Sequence, residues 1–274
     1  MSDGDDLDRL VDLVDAVRAG AKYRHVTVEL VRRIGAQELA RRRTMKEAVK
    51  ATRNKLHQVG AAYLPGPMRY GRWIDELRNA VESGAPAAVQ KACLRIMEHH
   101  TSTRERLPIL ERFYVAALAD IAPIHSVLDL ACGLNPLAIP WMPLTPDVTY
   151  YAYDIYDDMM AFLGEAMALL KVRGIAESRD IATLTPPAEV DVAYLLKAIP
   201  CMEQMDRNAG LALLESVPAR HLMVSFPVHS LGGRQKGMPA HYEAHLRELL
   251  ADRPWKVQRF EFATELAFLI SKDR

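Results

Sequence analysis

One short segment limits what this chain can fold into more than any other. Residues 127–141 read Val-Leu-Asp-Leu-Ala-Cys-Gly-Leu-Asn-Pro-Leu-Ala-Ile-Pro-Trp, an apolar strand that ends at Asp129 and turns at once around Gly133. Open α/β sheets hold nucleotide-like cofactors at such turns, at the carboxyl ends of their strands. The turn lacks the three glycines of a dinucleotide fingerprint and the Gly-Lys-Ser/Thr of a phosphate-cradling loop. It therefore argues against NAD, FAD and ATP and favours a cofactor without phosphate, of which S-adenosylmethionine is the obvious example.

The composition is typical of a soluble protein. The 274 residues suffice for one or two domains, and half of them are hydrophobic. No apolar run approaches the roughly 20 residues of a membrane span, and the acidic start lacks the blocks of a signal peptide. Cys93, Cys132 and Cys201 have no CxxC spacing, which disfavours disulfides and a zinc site. We therefore expect a cytoplasmic protein with reduced thiols, no metal and no membrane partner.

Positive charge is concentrated near the amino terminus. Residues 16–60, which we call the basic segment, contain twelve Lys or Arg and three Glu, whereas residues 126–274 carry a net charge of −5. A bias that persists over a segment of this length indicates a polyanionic partner. For a single run such as Arg41-Arg42-Arg43, a solvated helix face is the alternative. Phosphate contacts supply affinity and register but not sequence choice.

The hydrophobic pattern divides the chain into two parts. Helical spacing predicts helices within 5–60 and over 68–82 and 86–98, with a break at 65–67. After Pro123, strands alternate with helices, as in a parallel sheet covered on both faces. Predicted strands are 125–130, 148–153, 190–196 and 221–226, with 256–262 and 265–271 as a closing hairpin. The clearest helix is 157–172, with Gly174 as its cap. We predict a helical domain over 1–121 and a cofactor-binding domain over 122–274.

Polar residues follow the predicted strands at one edge of the sheet. Asp129 ends the first strand, Asp154 ends the second, and Asp180 lies near the third. A carboxylate at the end of the second strand can accept hydrogen bonds from ribose hydroxyls, and Asp180 would then face the adenine. For each Asp alone, a strand-end or helix-cap role is the alternative. Lys197 follows an apolar run directly, so we expect it to line the same crevice.

The segment His-Thr-Ser-Thr-Arg-Glu-Arg-Leu-Pro, which ends at Pro108, is also unusual. Ser102 and Glu105 match a helix capping box, and that role alone would explain them. Proline disfavours helical geometry in the residue before it, so we predict an irregular turn and a regular helix that begins only at Pro108. Arg104 or Arg106 would then reach the methionine carboxylate of the cofactor. The spacing does not choose between them.

Four motifs in this chain resemble those of the aminoglycoside-resistance 16S rRNA methyltransferases, which modify N7 of guanine 1405. They are 100–108, 129–141, 195–201, and 225–227 followed by 230–238. The resemblance covers nearly the whole chain. It implies a class I S-adenosylmethionine-dependent methyltransferase fold with a Rossmann-like, mostly parallel seven-stranded sheet and a carboxyl-terminal antiparallel hairpin. It also implies an added helical domain that docks on the 30S subunit, action as a monomer, and resistance to 4,6-disubstituted 2-deoxystreptamine aminoglycosides.

The resemblance also implies roles for individual residues. The implied cofactor site comprises Tyr63, His100, Thr101, Ser102, Arg106, Ala131, Gly133, Asp154, Asp180, Ile181, Leu196, Lys197 and Met205, the last at a position where a polar residue is expected. The implied rRNA contacts are Lys22, Arg24, Arg41, Arg42, Arg43, Lys46, Lys50, Arg53, Lys55, Arg234 and Lys236. Guanine N7 has a lone pair and no proton to lose, so we nominate no general base. Catalysis would rest on orientation after extrusion of the base, which residues 226–238 would receive.

Two other functions remain open at the level of sequence. The first is a methyltransferase that acts on another RNA or on a small molecule, with the basic segment merely solvated. The second is an RNA-binding protein whose cofactor fold has degenerated, which predicts no cofactor affinity. Residues 226–238 have a plain alternative as well, a flexible connection after the strand 221–226.

Overall fold

The chain folds into a run of helices followed by an α/β sheet. The computed structural model describes residues 3–183, 189–228 and 238–272. The helices before the sheet are α1 (Asp3–Arg18), α2 (Val28–Leu39), α3 (Met45–Val59), α4 (Tyr70–Glu82), α5 (Pro86–Met97), α6 (Thr101–Arg106) and α7 (Leu110–Leu118). Those between or after strands are α8 (Asp157–Leu169), α9 (Ala198–Glu203), α10 (Ala209–Ser216) and α11 (Met238–Leu250). No helix in these described ranges is long and apolar enough to cross a membrane.

Seven strands of the described chain form one sheet. They are β1 (Ile124–Leu130), β2 (Leu144–Asp154), β3 (Arg173–Ser178), β4 (Val190–Leu196), β5 (Ala219–Pro227), β6 (Lys256–Glu261) and β7 (Glu265–Ser271). Their order is β3-β2-β1-β4-β5-β7-β6, with neighbours among β1 to β5 parallel and β7 antiparallel to β5 and β6. The carboxyl ends of β1, β2 and β4 therefore meet at one edge. This confirms the predicted mostly parallel sheet with its closing hairpin.

Both faces of the sheet are covered. Val127 packs in one core with Trp73 and Phe113, whereas its neighbour Leu128 belongs to a second core with Leu213, because successive strand residues point to opposite faces. Helices α4, α5, α7 and α8 contact the sheet or one another in the first layer, while α1, α2 and α3 pack mainly among themselves. The helices before the predicted break at 65–67 thus pack mainly on one another, whereas those after it belong to the layers around the sheet. The proposed domain division at residue 121 stays a prediction.

The first three helices are fastened to the end of β2 by backbone hydrogen bonds. The amide of Thr27 donates to the carbonyl of Ile155 at 2.8 Å, and the amide of Asp157 donates to the carbonyl of His25 at 2.8 Å. These bonds lie beside the strand end at which Asp154 stands. The helices of the basic segment are therefore attached directly to the part of the sheet where a cofactor was predicted.

The predicted helix 157–172 is too long at its carboxyl end. α8 ends at Leu169, and Gly174 is not its cap but the second residue of β3. Lys171, with a φ of +59°, adopts the left-handed conformation that follows the helix. The prediction assigned that role to Gly174 because glycine adopts a positive φ at the lowest steric cost.

The irregular turn predicted before Pro108 is also wrong. α6 covers Thr101–Arg106 with His100 at its N-cap position, and a 3-10 turn over Leu107–Ile109 follows. Leu107 keeps helical dihedrals of −49° and −43°. Pro108 is tolerated because it stands in the first turn of the next helical segment, where a missing N–H costs little. The capping box does not form, and Glu105 has a different partner, described below.

Candidate active site

A narrow cleft opens where β1, β2 and β4 end, and we call it the strand-end cleft. It is lined by Val59, Gly60, Tyr63, His100, Ser102, Ala131, Asp154, Ile155, Tyr156, Leu196, Lys197, Ala198 and Cys201. The structure thus brings together seven predicted cofactor residues: Tyr63, His100, Ser102, Ala131, Asp154, Leu196 and Lys197. The cleft volume of about 60 Å³ is well below the roughly 300–1,000 Å³ of small-molecule sites. A nucleoside-sized ligand therefore requires side chains to move apart.

Asp154 is a buried carboxylate whose position is fixed by two backbone amides. Its Oδ2 accepts a hydrogen bond from the Gly133 amide at 2.8 Å, and its Oδ1 accepts one from the Ile155 amide at 2.6 Å. Burial raises the pKa of Asp154, although both amide bonds oppose that shift. A carboxylate has about four acceptor positions, so Asp154 keeps room for two further donors. Two neighbouring hydroxyl groups of a ribose would fit that capacity.

Gly133 is required both by its backbone and by its surroundings. It has a φ of +53°, and a Cβ at this position would lie 2.6 Å from Cε1 of His100. Ala131, two residues earlier, also has a positive φ of +52°. The turn that first suggested a cofactor is therefore strained at Ala131 and closely packed at Gly133, as expected where backbone must approach a ligand.

Two polar atoms at the cleft have no hydrogen-bond partner among the described residues. They are Nδ1 of His100 and the hydroxyl of Tyr156, both buried. Burial, reinforced by Lys197 and Arg106, lowers the pKa of His100 to about 3, so its imidazole is neutral near pH 7. Its ring stacks on Tyr63, with ring centroids 6.0 Å apart. Because buried polar groups are normally paired, these atoms fit a site for a polar ligand.

Lys197 lies at the cleft as predicted, with two carboxylates around its ammonium. Nζ is 2.7 Å from Oε2 of Glu105 and 3.4 Å from Oε2 of Glu265. Glu265, at the start of β7, is fully buried. Burial alone would raise its pKa, but Arg106 and Lys197 outweigh that effect and hold the pKa of Glu265 below its usual range. The cation at the cleft is thus balanced by protein charges.

Of the two arginines left open by the sequence, Arg106 faces the interior and Arg104 is exposed. Arg106 is completely buried, and its Nη2 is 2.7 Å from Oε1 of Glu265. Its Nη1 donates to Oδ1 of Asn135 at 2.9 Å. Arg106 therefore lies behind the strand-end cleft, and its partners there are protein groups. Thr101 is buried in the first turn of α6 and does not line the cleft.

The remaining predicted cofactor residues lie around a second cavity of about 440 Å³. It is lined by Arg33, Ile181, Ala182, Thr183, Met202, Met205, Asp206, Ala209, Ala212, Leu213 and Ser216. Ile181 and Met205 thus line this second cavity and not the strand-end cleft. Asp180 follows β3, as predicted, but its side chain is 2% exposed and ion-paired with Arg33. No pattern in the sequence identifies this partner, because Arg33 is one of many cations in the basic segment.

Most predicted rRNA-binding side chains are exposed on one stretch of the helical region. Lys22, Arg24, Arg41, Arg42, Arg43, Lys46 and Lys50 all face solvent. The carboxylate of Glu38, which is 1% exposed, lies 2.9 Å from Nε of Arg42 and 2.8 Å from Nζ of Lys55. Glu38 therefore fixes the positions of two side chains that were predicted to bind rRNA. Arg53 is half-buried, and its Nη2 donates to the carbonyl of Ala16. Arg53 therefore connects α3 to the end of α1 instead of projecting outward.

Residues 226–238 are described only in part. Arg234 and Lys236 lie outside the described residues. Phe226, at the start of this stretch, is fully buried and stacks on Tyr242 with ring centroids 4.7 Å apart. Phe226, the first residue of the stretch predicted to receive the base, is therefore a core residue.

Several cleft residues were not predicted. Ile155 and Tyr156 directly follow Asp154, so their place after a strand-end carboxylate was a signal that could have identified them. Cys201 donates or accepts a 3.0 Å hydrogen bond with the hydroxyl of Tyr63. That contact joins α9 to the 3-10 turn that follows α3, and it depends on tertiary packing alone.

The comparisons with known proteins identify the family. A family model described as ribosomal RNA methyltransferase (FmrO) matches residues 19–269. The chain belongs to this family. A relative from Micromonospora rosea, named 16S rRNA (guanine(1405)-N(7))-methyltransferase, is 38% identical over 99% of both chains. A relative of the same name from Frankia casuarinae is 39% identical over 97% of this chain and 95% of its own.

Solved structures agree with this assignment to the FmrO family. The 16S rRNA methyltransferase RmtF, in complex with S-adenosyl-L-homocysteine, has a TM-score of 0.80 and 29% identity over the whole of both chains. The 16S rRNA methylase RmtB has a TM-score of 0.77 and 26% identity over 96% of this chain and 98% of its own. These comparisons confirm the predicted family and the class I methyltransferase fold.

Proposed function

We propose that this FmrO-family protein transfers the methyl group of S-adenosylmethionine to N7 of guanine 1405 in 16S rRNA, within the 30S subunit. The methylation would confer resistance to 4,6-disubstituted 2-deoxystreptamine aminoglycosides. The proposal rests on the strand-end cleft, where Asp154 has room for two further hydrogen-bond donors. Relatives of the chain are named for this reaction. The protein would act as a monomer in the cytoplasm, where ribosomal subunits are found.

The residues present fit this cofactor. Asp154 would accept hydrogen bonds from the ribose, and Ile181 and Met205 in the second cavity would contact the adenine, with Asp180 beside them. Tyr63, His100, Ser102, Ala131, Gly133, Leu196 and Lys197 would surround the remainder, and Thr101 and Arg106 would support them from behind. Because the cleft is narrow, the stacked rings of Tyr63 and His100 must separate on binding. The unpaired Nδ1 of His100 would then gain a partner.

The bound cofactor supplies an electrophilic methyl group on a sulfonium centre. The neutral imidazole of His100 and the balanced charge of Lys197 keep net positive charge away from that cation. Burial raises the pKa of Cys201, so its thiol stays protonated near pH 7. Guanine N7 needs no deprotonation, and the proposal therefore assigns no general base. The chain's contribution would be orientation of the reacting atoms, an effect that can reach about 7–11 kcal/mol in favourable cases.

The exposed cations of the basic segment would bind the phosphate backbone of the rRNA. Contacts of this kind fix position and register without reading bases. Glu38 would keep Arg42 and Lys55 in a fixed arrangement on this surface. Arg234 and Lys236 would add contacts near the extruded base. The energy of these contacts would offset the cost of extrusion, a few kcal/mol.

Methyl transfer from labelled S-adenosylmethionine tests the proposal. Purified 30S subunits, free 16S rRNA and 50S subunits would be compared as acceptors. We expect incorporation into 30S subunits and little into the other two. Incorporation only into free RNA or a small molecule would instead support the alternative methyltransferase, and no incorporation into 30S subunits would refute the main proposal.

Calorimetry with S-adenosylhomocysteine is a second test. Measurable binding supports the enzyme, whereas the absence of binding would support the non-catalytic RNA-binding alternative.

A further inference from the structure

The ion pair between Arg33 and Asp180 joins the helical region to the sheet region, which the sequence analysis predicts to be separate domains. Arg33 lies on α2 in the basic segment, and Asp180 follows β3 in the sheet region. Nε of Arg33 is 2.5 Å from Oδ2 of Asp180, and Nη2 is 3.1 Å from Oδ1. Such a two-point pairing fixes the orientation of a carboxylate as well as its charge.

The same helix makes a second contact with this loop. Glu29, one turn before Arg33, accepts hydrogen bonds from the hydroxyl of Thr183 at 2.7 Å and from the amide of Asp180 at 3.5 Å. Within the loop, Oδ1 of Asp180 accepts a bond from the amide of Ala182 at 3.1 Å. Residues 180–183 are thus held from one side by α2.

The loop held by α2 forms a wall of the second cavity. Arg33 itself lines that cavity together with Ile181 and Met205. The carboxylate of Asp180 is 2% exposed, whereas Arg33 is 25% exposed. Removal of the guanidinium would leave a buried carboxylate without its countercharge, which proteins relieve by rearrangement or protonation. The shape of the cavity wall therefore depends on Arg33.

We propose that Arg33 is a positioning residue of the cofactor site, which fixes the 180–183 loop from the helix that also belongs to the basic segment. Cofactor affinity would then depend on a side chain of the amino-terminal helices. This inference rests on the proposed function, in which Ile181 contacts the adenine and Asp180 lies beside it. It assigns Arg33 to cofactor binding, in contrast to the exposed cations around it, which would bind rRNA.

Calorimetry of S-adenosylhomocysteine binding to the full chain, without ribosomes, tests the inference. Arg33→Met should weaken binding about tenfold, because a charge-assisted bond and the loop geometry are lost together. Arg33→Lys keeps the charge but not the two-point geometry and should weaken binding about threefold. Arg32→Met is the matched control, since Arg32 is exposed on the same helix, and it should leave cofactor affinity unchanged.

Two further measurements separate this role from others. A purely structural role would lower the melting temperature of Arg33→Met without a change in cofactor affinity, and this result would overturn the inference. A loss of 30S affinity with unchanged cofactor affinity would make Arg33 an rRNA contact and would overturn it too. If Arg33→Met does not fold, Arg33→Lys decides: weaker cofactor binding supports the inference, and wild-type affinity overturns it. No binding by the wild-type protein would instead refute the proposed function, and this inference with it.

Discussion

Asp129 and Asp154 end neighbouring strands but lie in different surroundings. Asp154 accepts two backbone amides and lines the strand-end cleft. Asp129 accepts bonds from Asn135 at 2.8 Å and Tyr150 at 2.7 Å, both through Oδ2, and lies inside the core. Two carboxylates that look equivalent in the sequence therefore have different roles, one suited to a ligand and one to the structure beneath it.

Replacement of Asp154 by Asn tests the ligand role. The amide nitrogen of Asn cannot accept a bond from either Gly133 or Ile155, and one acceptor position for the ribose is lost as well. We expect affinity for S-adenosylhomocysteine to fall about tenfold or more, as measured by calorimetry. Asp147→Asn is the control, because Asp147 is exposed on the same strand. Equal affinity in wild type and Asp154→Asn would contradict the assignment.

The pH dependence of stability tests the environment of Asp129. Burial raises its pKa to about 7, although Asn135 and Tyr150 oppose the shift, whereas in the unfolded chain the pKa is near 4. Between these values the native state binds the extra proton, so the free energy of unfolding falls as pH rises, by up to about 4 kcal/mol. Relative to Asp129→Asn, the wild-type protein should lose stability between about pH 4 and pH 7 in urea unfolding. A constant difference between the two proteins would show that Asp129 does not titrate in this range.

At the residue scale, some of the site could be predicted and some could not. Asp154 and Lys197 follow apolar runs directly, and the ends of parallel strands meet at one edge of a sheet, so their placement follows from local pattern. The partner of Arg106 does not, because Glu265 is 159 residues away along the chain. The partner of Arg33 could not be predicted either, because the sequence shows its charge but not which residue its side chain contacts.

At the element scale, β3 shows why local signals fail. The strand reads Arg-Gly-Ile-Ala-Glu-Ser, with one β-branched residue, and its glycine looks like a helix cap. Its strand geometry comes from pairing with β2, where Gly174 lies opposite Tyr150. By contrast, α3 was predictable because its apolar residues recur at helical spacing, and it begins at a capping box formed by Thr44 and Glu47.

The end of α8 offers a stability test at this scale. Lys171 has a φ of +59°, which costs a residue with a Cβ roughly 1–2 kcal/mol. Lys171→Gly should remove most of that strain and raise the free energy of unfolding by about 0.5–1 kcal/mol after the entropy cost of glycine. Lys171→Ala keeps the Cβ and should change stability little. A gain in the alanine variant as large as that in the glycine variant would mean that the strain is not the cause.

At the scale of the whole molecule, the separation of charge matches the arrangement of helices and sheet. The exposed cations that were predicted to bind rRNA are carried by α3 and by the segments that flank α2, while the cleft lies at the sheet edge to which these helices are fastened. Composition could predict the polyanionic partner, and helical spacing could predict the elements that carry it. The attachment between α2 and the loop after β3 could not be predicted, because it depends on tertiary contacts between distant segments.

Charge reversal tests the docking role of the basic segment. Arg42→Glu combined with Arg43→Glu should weaken binding to 30S subunits by at least tenfold at physiological salt, since two phosphate contacts become repulsive. Cofactor affinity should stay at the wild-type value. The control combines Arg112→Glu with Arg220→Glu, which changes the net charge equally outside the basic segment. If the control variant lost as much affinity for 30S subunits, the net charge of the protein and not the position of Arg42 and Arg43 would explain the effect.

Mapping of the methylated nucleotide tests the central claim most directly. 30S subunits would be incubated with the protein and S-adenosylmethionine, and their 16S rRNA would be treated with borohydride and aniline, which cleave at N7-methylguanine. Primer extension should then stop at guanine 1405, and only when both protein and cofactor are present. A stop at another nucleotide, or modified rRNA without N7-methylguanine, would contradict the account.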